Sequence, residues 1–284
     1  MVDKQAFDCD FENKWCPGCG NFMILAAMKT ALAGLDLAPE NVLLVSGIGQ
    51  AGKTPHFLKC NFFHGLHGRA LPVATGAKIA NHELTIIVNS GDGDCYGEGG
   101  NHFLSAIRRN IDITLLVHDN KVYGLTKGQS SPTSDRGFVT KMQRRGVLYE
   151  AFNPLAVALA MNAGFVARGY SGSKDNLVRT IQAAIRHKGF SLVDILHPCV
   201  SFNRINTHAW YKQRLVDLYD SDHDPADKQQ AMVLAEQWEE QIPIGILYRN
   251  ETTSFTDRID HLKDGPLVNR AYDRQTVQTL LSGL

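Results

Sequence analysis

The 284-residue sequence has no surplus of charge of either sign, because 29 basic side chains balance 29 acidic ones. It also lacks an internal repeat and a P-loop. No apolar run approaches the ~18 residues that a membrane helix needs. The first residues are mixed in charge, so we expect no secretory signal. These absences weigh against a nucleic-acid-binding protein and a membrane protein.

The six cysteines are therefore expected in a reducing, cytoplasmic compartment, where disulfides are rare. Cys16 and Cys19 stand in a C-x-x-C arrangement just before a predicted helix. Such a pair suits Zn²⁺ or an iron–sulfur cluster, and the residues alone leave both alternatives open.

Short apolar, β-branched runs alternate with helical patterns along the chain. We predict strands at 42–45, 84–88, 113–117, 164–168 and 190–196, and helices at 22–32, 98–108, 154–162 and 174–186. This alternation predicts an α/β fold with a doubly wound, mostly parallel sheet. The polar stretch from 207 holds one predicted helix at 226–240. We expect 1–206 to form the main domain, and 207–284 to be an extension that packs on it or on a partner subunit.

Polar or glycine-rich clusters follow the ends of four predicted strands, and ligands bind at the carboxyl ends of strands in such sheets. Gly91-Asp92-Gly93-Asp94 follows one strand, and Asn120 follows the next. Glycines allow a backbone to approach a diphosphate, and carboxylate and amide oxygens suit Mg²⁺. The sequence thus predicts one composite diphosphate and magnesium site.

This arrangement resembles the thiamine diphosphate motif. Together with residues 99–102, 108–112 and 120–129, it resembles the β subunits of 2-oxoacid:ferredoxin oxidoreductases over residues 14–205. The resemblance implies that Asp92, Asn120 and the carbonyl of Val122 hold Mg²⁺. It also implies a set of residues around thiamine diphosphate: His67, Gly68, Gly91, Asp92, Gly93, Asp94, Asn120, Val122, Gly124, Leu125 and Thr126.

In that family, C-x-x-C, a cysteine after a Gly-Ile-Gly turn and a late cysteine bind one 4Fe–4S cluster. Here Cys16, Cys19 and Cys199 match, but Gln50 follows the turn. We expect Cys60 to be the missing ligand; a three-cysteine site, or Gln50 beside a cluster with a different third ligand, are the alternatives.

The resemblance implies an enzyme that decarboxylates a 2-oxoacid oxidatively with coenzyme A, giving acyl-CoA and CO₂. Electrons would pass through the cluster to ferredoxin, and the reaction is reversible as reductive carboxylation. Lys53 is a candidate for the substrate carboxylate or a coenzyme A phosphate, and Leu125 flanks the diphosphate loop. Lys127 would suit a second carboxylate, which favours 2-oxoglutarate over pyruvate.

Thiamine enzymes activate the aminopyrimidine with a glutamate from a second domain, which this sequence lacks. We therefore expect a larger α subunit to complete the site, and the chain alone to be inactive. Two other readings are a non-redox thiamine enzyme subunit with zinc or no metal at its cysteines, and a nucleotide-binding or structural α/β protein with a zinc clip.

Overall fold

The computed structural model describes residues 1–283. Its helices are α1 (Asn21–Gly34), α2 (Ala70–Ala80), α3 (Gly100–Arg109), α4 (Pro154–Ala160), α5 (Lys174–Arg186), α6 (His208–Lys212), α7 (Lys228–Glu236) and α8 (Arg274–Ser282). Its strands are β1 (Val42–Ser46), β2 (Asn61–His64), β3 (Thr85–Gly91), β4 (Thr114–Asp119), β5 (Val122–Tyr123), β6 (Gln129–Ser130), β7 (Phe165–Tyr170), β8 (Ser191–Leu196), β9 (Leu215–Asp217) and β10 (Ile242–Arg249).

Eight strands of the described chain form one sheet in the order β2-β1-β3-β4-β8-β7-β10-β9. Every neighbouring pair is parallel except β10 with β7, which is antiparallel. The prediction of a doubly wound, mostly parallel α/β sheet is confirmed. All five predicted strands are present, as are the four helices predicted before residue 207, with ends that differ by a few residues.

Helices cover both faces of the sheet, which explains why its strands are continuously apolar. On one face, α2, α3, α4 and α7 bury side chains such as Phe103 and Leu155 against Val88. On the other, α1 and α5 bury side chains such as Met28 and Ile181 against Ile87, which is the next residue of the same strand. Alternate residues of β3 therefore enter opposite cores.

The region from 207 onward packs on the main sheet and extends it. Its strand β10 pairs with β7 and its strand β9 pairs with β10. The helix predicted at 226–240 is present but shorter, over Lys228–Glu236. Within residues 1–283, no helix is both long enough and apolar enough to cross a membrane.

Candidate active site

The four strands whose ends carry polar clusters are neighbours at the centre of the sheet, in the order β1-β3-β4-β8. Because they are parallel, their carboxyl ends meet at one edge. This edge brings together the turn after β1, the Gly-Asp-Gly-Asp segment, Asn120 and the segment that leads to Cys199. The residues predicted to form the composite site therefore lie together at this edge of the sheet.

The loop after β3 is shaped for a close approach by a ligand. A π-helical turn over Gly93–Glu98 precedes α3, and such turns occur often at functional sites. A Cβ atom at Gly93 would lie 2.3 Å from Cε1 of Tyr123, so only glycine fits there. The hydroxyl of Tyr123 donates to the carbonyl of Gly93 at 3.1 Å. This packing fixes the turn, and the N–H groups at the start of a helical turn can receive an anion.

Asp92 is a buried carboxylate held by two hydroxyls. Ser131 Oγ donates to its Oδ2 at 2.5 Å, and Thr133 Oγ1 lies 2.7 Å from the same oxygen. Burial, followed by the negative charge of Asp119, raises the pKa of Asp92 to about 7. A divalent cation would compensate both effects and favour the ionised form, which is the form that binds Mg²⁺.

The turn from Asn120 to Val122 supplies further oxygen donors. Asn120 Oδ1 accepts the N–H of Val122 at 3.0 Å, and Lys121 between them has a left-handed φ of 61°. The ammonium of Lys121 forms an ion pair with Asp135 at 2.9 Å. This contact with a residue outside the turn stabilises the left-handed backbone of Lys121. Because an amide oxygen has two lone pairs, Asn120 Oδ1 can accept this N–H and still bind a cation. With the carbonyl of Val122 and the carboxylate of Asp92, it forms a donor set that fits Mg²⁺.

One cavity is lined by most of the residues predicted to surround the cofactor, namely His67, Gly91, Asp92, Gly93, Asp94, Asn120, Val122, Gly124, Leu125 and Thr126. Gly68 lies just behind its wall. Lys53 and Lys127 do not line this cavity; Lys127 is exposed, with a φ of 72°, and Lys53 is half-buried.

Asp94 fastens several loops around this cavity to one another. Its Oδ1 accepts the N–H of Ile48 at 3.0 Å and that of Gly68 at 2.7 Å, and lies 2.6 Å from Nδ1 of His67. Its Oδ2 accepts the hydroxyl of Ser90 at 2.5 Å. Asp94 therefore positions His67 and the turn after β1, besides lining the cavity.

A second, neighbouring cavity is lined by Cys16, Cys19 and Cys199. Burial, followed by the charges of the other two sulfurs, raises the pKa of Cys19 to about 11. Ser201 Oγ donates to Cys16 Sγ at 3.2 Å. The structure thus brings together three thiols from distant parts of the chain, one of which already receives a hydrogen bond of the kind that tunes iron–sulfur clusters.

Cys60, expected as a ligand from the sequence, does not line this cavity. It packs against the α1/α5 core, where burial raises the pKa of its thiol to about 12. Cys19 packs against the same core but also lines the cavity, whereas Cys60 does not. Gln50 lines the cavity instead.

The three cysteines offer thiol ligands of the kind that zinc and iron–sulfur clusters both use. Within residues 1–283, no three histidine, cysteine, aspartate or glutamate side chains are arranged to hold one metal ion.

Buried polar side chains line both cavities, with His118 and His197 on the first and Asn21 on the second. Nδ1 of His118 lies 2.7 Å from Oδ1 of Asn21, and its Nε2 accepts from Asn89 Nδ2 at 2.9 Å. Burial lowers the pKa of His118 well below its usual range, so the ring is neutral. His197, also buried, has a pKa lowered to about 4, and neither of its ring nitrogens has a partner within the described chain.

Sequence reasoning missed one feature of this site. Ser131 and Thr133 contact Asp92 from a loop with no recognised motif, although the polar run from Ser130 to Ser134 was a visible signal. The position of Gln50 on the cysteine cavity was one of the alternatives that the sequence offered.

Comparison with known proteins agrees with this geometry. Residues 45–195 match the family model for the thiamine pyrophosphate enzyme C-terminal TPP binding domain. Residues 199–264 match the model for the C-terminal part of the pyruvate ferredoxin oxidoreductase beta subunit. A 2-oxoacid:ferredoxin oxidoreductase subunit beta from Aeropyrum pernix is 48% identical over 246 residues, which span 83% of this chain and 77% of the relative. The chain belongs to the β subunits of the 2-oxoacid:ferredoxin oxidoreductases.

Two further proteins that resemble this β subunit are named for 2-oxoglutarate. The 2-oxoglutarate oxidoreductase subunit KorB of Mycobacterium tuberculosis is 45% identical over 197 residues, or 69% of this chain and 53% of the relative. A solved 2-oxoglutarate:ferredoxin oxidoreductase from Magnetococcus marinus, with 2-oxoglutarate, coenzyme A and succinyl-CoA bound, superimposes with a TM-score of 0.91. It is 33% identical and covers 98% of this chain and 96% of that chain. The β subunit is thus part of an oxidoreductase complex.

Proposed function

We propose that this β subunit binds thiamine diphosphate and Mg²⁺ and acts in the coenzyme A-dependent oxidative decarboxylation of 2-oxoglutarate, with electrons leaving through an iron–sulfur cluster to ferredoxin. The observation that carries the proposal is the convergence of the Gly-Asp-Gly-Asp loop, Asn120 and Val122 on one cavity. Thiamine diphosphate, when bound, supplies the carbanion chemistry that releases CO₂ from a 2-oxoacid. The reverse reaction, reductive carboxylation, uses the same groups.

The protein side chains have distinct tasks in this scheme. Asp92, Asn120 and the Val122 carbonyl would hold Mg²⁺, and the N–H groups at the start of the π-helical turn would receive the diphosphate. Asp94 holds His67 at the cavity wall. Leu125, which lines the cavity and is 43% exposed, would shield the reacting atoms once a partner covers it.

The cavity is incomplete within this chain. Among the described residues no glutamate lines it, so the group that activates the aminopyrimidine must come from elsewhere. Leu125, Val200 and Phe202 stand exposed on the rims of the two cavities. Apolar side chains exposed around a site are typical of a surface that a partner covers. We infer that a larger α subunit covers this edge, forming an αβ unit or a pair of such units.

Specificity for 2-oxoglutarate is supported by the names of the relatives and by Lys127. Lys127 directly follows Leu125 and Thr126, which line the cavity. Its backbone is left-handed and its side chain is exposed. A cation there can pair with the distal carboxylate that 2-oxoglutarate has and pyruvate lacks. Lys53, on the turn after β1, would serve the other carboxylate or a coenzyme A phosphate.

The test is turnover by the chain co-expressed with its α subunit. With coenzyme A present, 2-oxoglutarate should reduce ferredoxin and give succinyl-CoA, and pyruvate should be a poorer substrate. Neither chain alone should be active. Turnover by the isolated β chain, or 2-oxoacid decarboxylation without ferredoxin reduction in an iron-free complex, would contradict the proposal and favour a non-redox thiamine enzyme.

A further inference from the structure

Gln50 lies between the two cavities and lines both of them. Its side-chain oxygen, Oε1, is shielded from solvent and has no hydrogen-bond partner within residues 1–283. Buried polar atoms are nearly always paired, so an unpaired one usually marks a missing water, ion or ligand. Here the unpaired oxygen belongs to a residue that shares a cavity with three thiols.

The backbone of Gln50 is fixed beside those thiols. The indole N–H of Trp15 donates to the carbonyl of Gln50 at 2.9 Å, and Trp15 directly precedes Cys16. On the other side, a Cβ atom at Gly124 would lie 3.7 Å from Cγ of Gln50, so the side chain is packed against the cofactor loop. Its amide group is therefore confined to the space between the cysteine cavity and the loop.

We propose that Oε1 of Gln50 completes the ligand set begun by Cys16, Cys19 and Cys199, giving a 4Fe–4S cluster with three thiolate-bound irons and one oxygen-bound iron. This inference rests on the proposed function, which requires a cluster. It assigns no ligand role to Cys60, which lies in the α1/α5 core.

An amide oxygen changes the chemistry of the iron that it binds. It is a hard, neutral donor, and soft, charged thiolates hold cluster irons more firmly. The complete cluster therefore carries one negative charge less than a four-cysteine cluster, which raises its reduction potential. The oxygen-bound iron also becomes the first to leave.

Mild oxidation distinguishes an oxygen-bound iron from thiolate-bound irons. When ferricyanide removes one electron, a [4Fe–4S]²⁺ cluster can release Fe²⁺ and become [3Fe–4S]⁺, while ferricyanide becomes ferrocyanide. We expect the wild-type complex to undergo this conversion with one equivalent of oxidant. Gln50→Cys supplies a fourth thiolate and should retain the iron.

The experiment uses the anaerobically purified αβ complex, with iron analysis and EPR spectra before and after ferricyanide. Wild type should lose about one iron in four and gain the S = 1/2 signal of [3Fe–4S]⁺. Gln50→Cys should keep its iron and its dithionite-reduced signal at a lower midpoint potential. Gln50→Ala should be isolated with fewer irons, and Cys60→Ser should match wild type. Retained thiamine diphosphate will show that each variant is folded.

The outcomes separate this inference from the proposed function. If wild type and Gln50→Cys resist ferricyanide equally, or if Cys60→Ser loses the cluster, the role of Gln50 is overturned and the redox proposal stands. If the wild-type complex contains zinc or no metal, the electron-transfer part of the proposed function fails, and the ligand inference fails with it.

Discussion

The Nδ1 atom of His67 lies 2.6 Å from Oδ1 of Asp94, which ties the segment before α2 to the loop after β3. The same carboxylate holds the turn after β1 through Ile48. Three of the loops that surround the cavity therefore depend on one side chain that is 3% exposed.

Replacing Asp94 with alanine should lower the affinity for thiamine diphosphate by at least tenfold, or ~1.4 kcal/mol. Four hydrogen-bond donors lose their acceptor, and the loops lose their mutual position. Isothermal titration of the αβ complex measures the effect. His64→Gln is the matched control, because its ring contacts Ser46 at 2.9 Å and does not contact Asp94. An Asp94→Ala complex that binds the cofactor like wild type would refute this role.

Thr133 lies 2.7 Å from Asp92 and 2.8 Å from Asp119, and so orients a carboxylate expected to bind Mg²⁺. Thr133→Val keeps the shape of the side chain and removes the hydroxyl. Loss of such a supporting contact typically costs 10–100-fold in metal affinity, and we expect about tenfold here. Mg²⁺ titration of the cofactor-loaded complex measures it. Ser130→Ala should have no effect, since that hydroxyl contacts Tyr149.

Lys127→Ala should raise the KM for 2-oxoglutarate up to about fivefold, because an exposed charge pair contributes at most ~1 kcal/mol, and leave that for pyruvate unchanged. Lys53→Ala should affect both substrates, or the KM for coenzyme A, because it is assigned to a group that the substrates share. Lys174→Ala, on the exposed first turn of α5, is the control. Equal changes for the two substrates in Lys127→Ala would remove the assignment to a distal carboxylate.

Arg168 and Asp194 face one another in register on β7 and β8, and both are buried. Burial lowers the pKa of Arg168 to about 10 and raises that of Asp194 well above its usual range. The guanidinium also donates to the carbonyls of Ala235, at 3.0 Å, and Pro243, at 3.3 Å. Arg168, on β7, therefore contacts the last turn of α7 and the start of β10.

Arg168→Met should destabilise the protein by about 3 kcal/mol, because it leaves the carbonyls of Ala235 and Pro243 without their donor and removes a buried positive charge that acts on Asp194. Arg168→Met combined with Asp194→Asn should cost less than the sum of the two single changes. Urea-induced unfolding measures the coupling. Arg179→Met, which removes an exposed guanidinium stacked on Tyr219, is the control. Strict additivity would show that the two buried charges act independently.

His187 is a buried imidazole with no partner for either ring nitrogen within the described residues. Burial, and then the charge of Arg249, lowers its pKa below 6.5. Its contribution to stability is complete above pH 6.5, where the unfolded chain is also neutral. That contribution falls as the pH drops toward the folded pKa, because only the unfolded state takes up the proton.

His187→Phe should therefore weaken the loss of unfolding free energy between pH 6.5 and pH 5, since phenylalanine has no proton to bind. Unfolding curves at several pH values measure the slope for wild type and variant. His261→Gln changes an exposed histidine and should leave the slope unchanged. If wild type and His187→Phe share one slope, the ring is not held neutral by burial.

The sequence predicted the central sheet well because its strands are short, continuous apolar runs that end in glycine or polar residues. It did not predict α2, whose segment contains Pro72 and Gly76, nor β10, which contains Pro243 and Gly245. Proline is tolerated in the first turn of a helix, and the antiparallel pairing of β10 is set by contacts far along the chain. Local patterns carry neither kind of information.

The sequence predicted the parts of the site whose functional side chains lie within one stretch of the chain. It did not predict contacts between segments that are far apart in the sequence. The Gly-Asp-Gly-Asp motif and Asn120 are recognisable within a single stretch of sequence. Cys60 instead directly precedes the edge strand β2, and it does not line the cavity that Gln50 shares with three cysteines. Counting the residues between Gln50 and Cys60 does not predict which of the two side chains reaches that cavity.

The antiparallel strand β10 has a consequence for the order of folding. Gly245 pairs with Arg168, so the edge of β7 stays open until the chain has been made well past the last residue of the cofactor loops. During synthesis, the amino-terminal part can assemble the six parallel strands β2-β1-β3-β4-β8-β7, with the backbone N–H and C=O groups on the free edge of β7 unpaired. Such long-range closure is slow, and unpaired edges aggregate. The last quarter of the chain thus covers the edge of β7 only after the segments that form the binding loops have been synthesised.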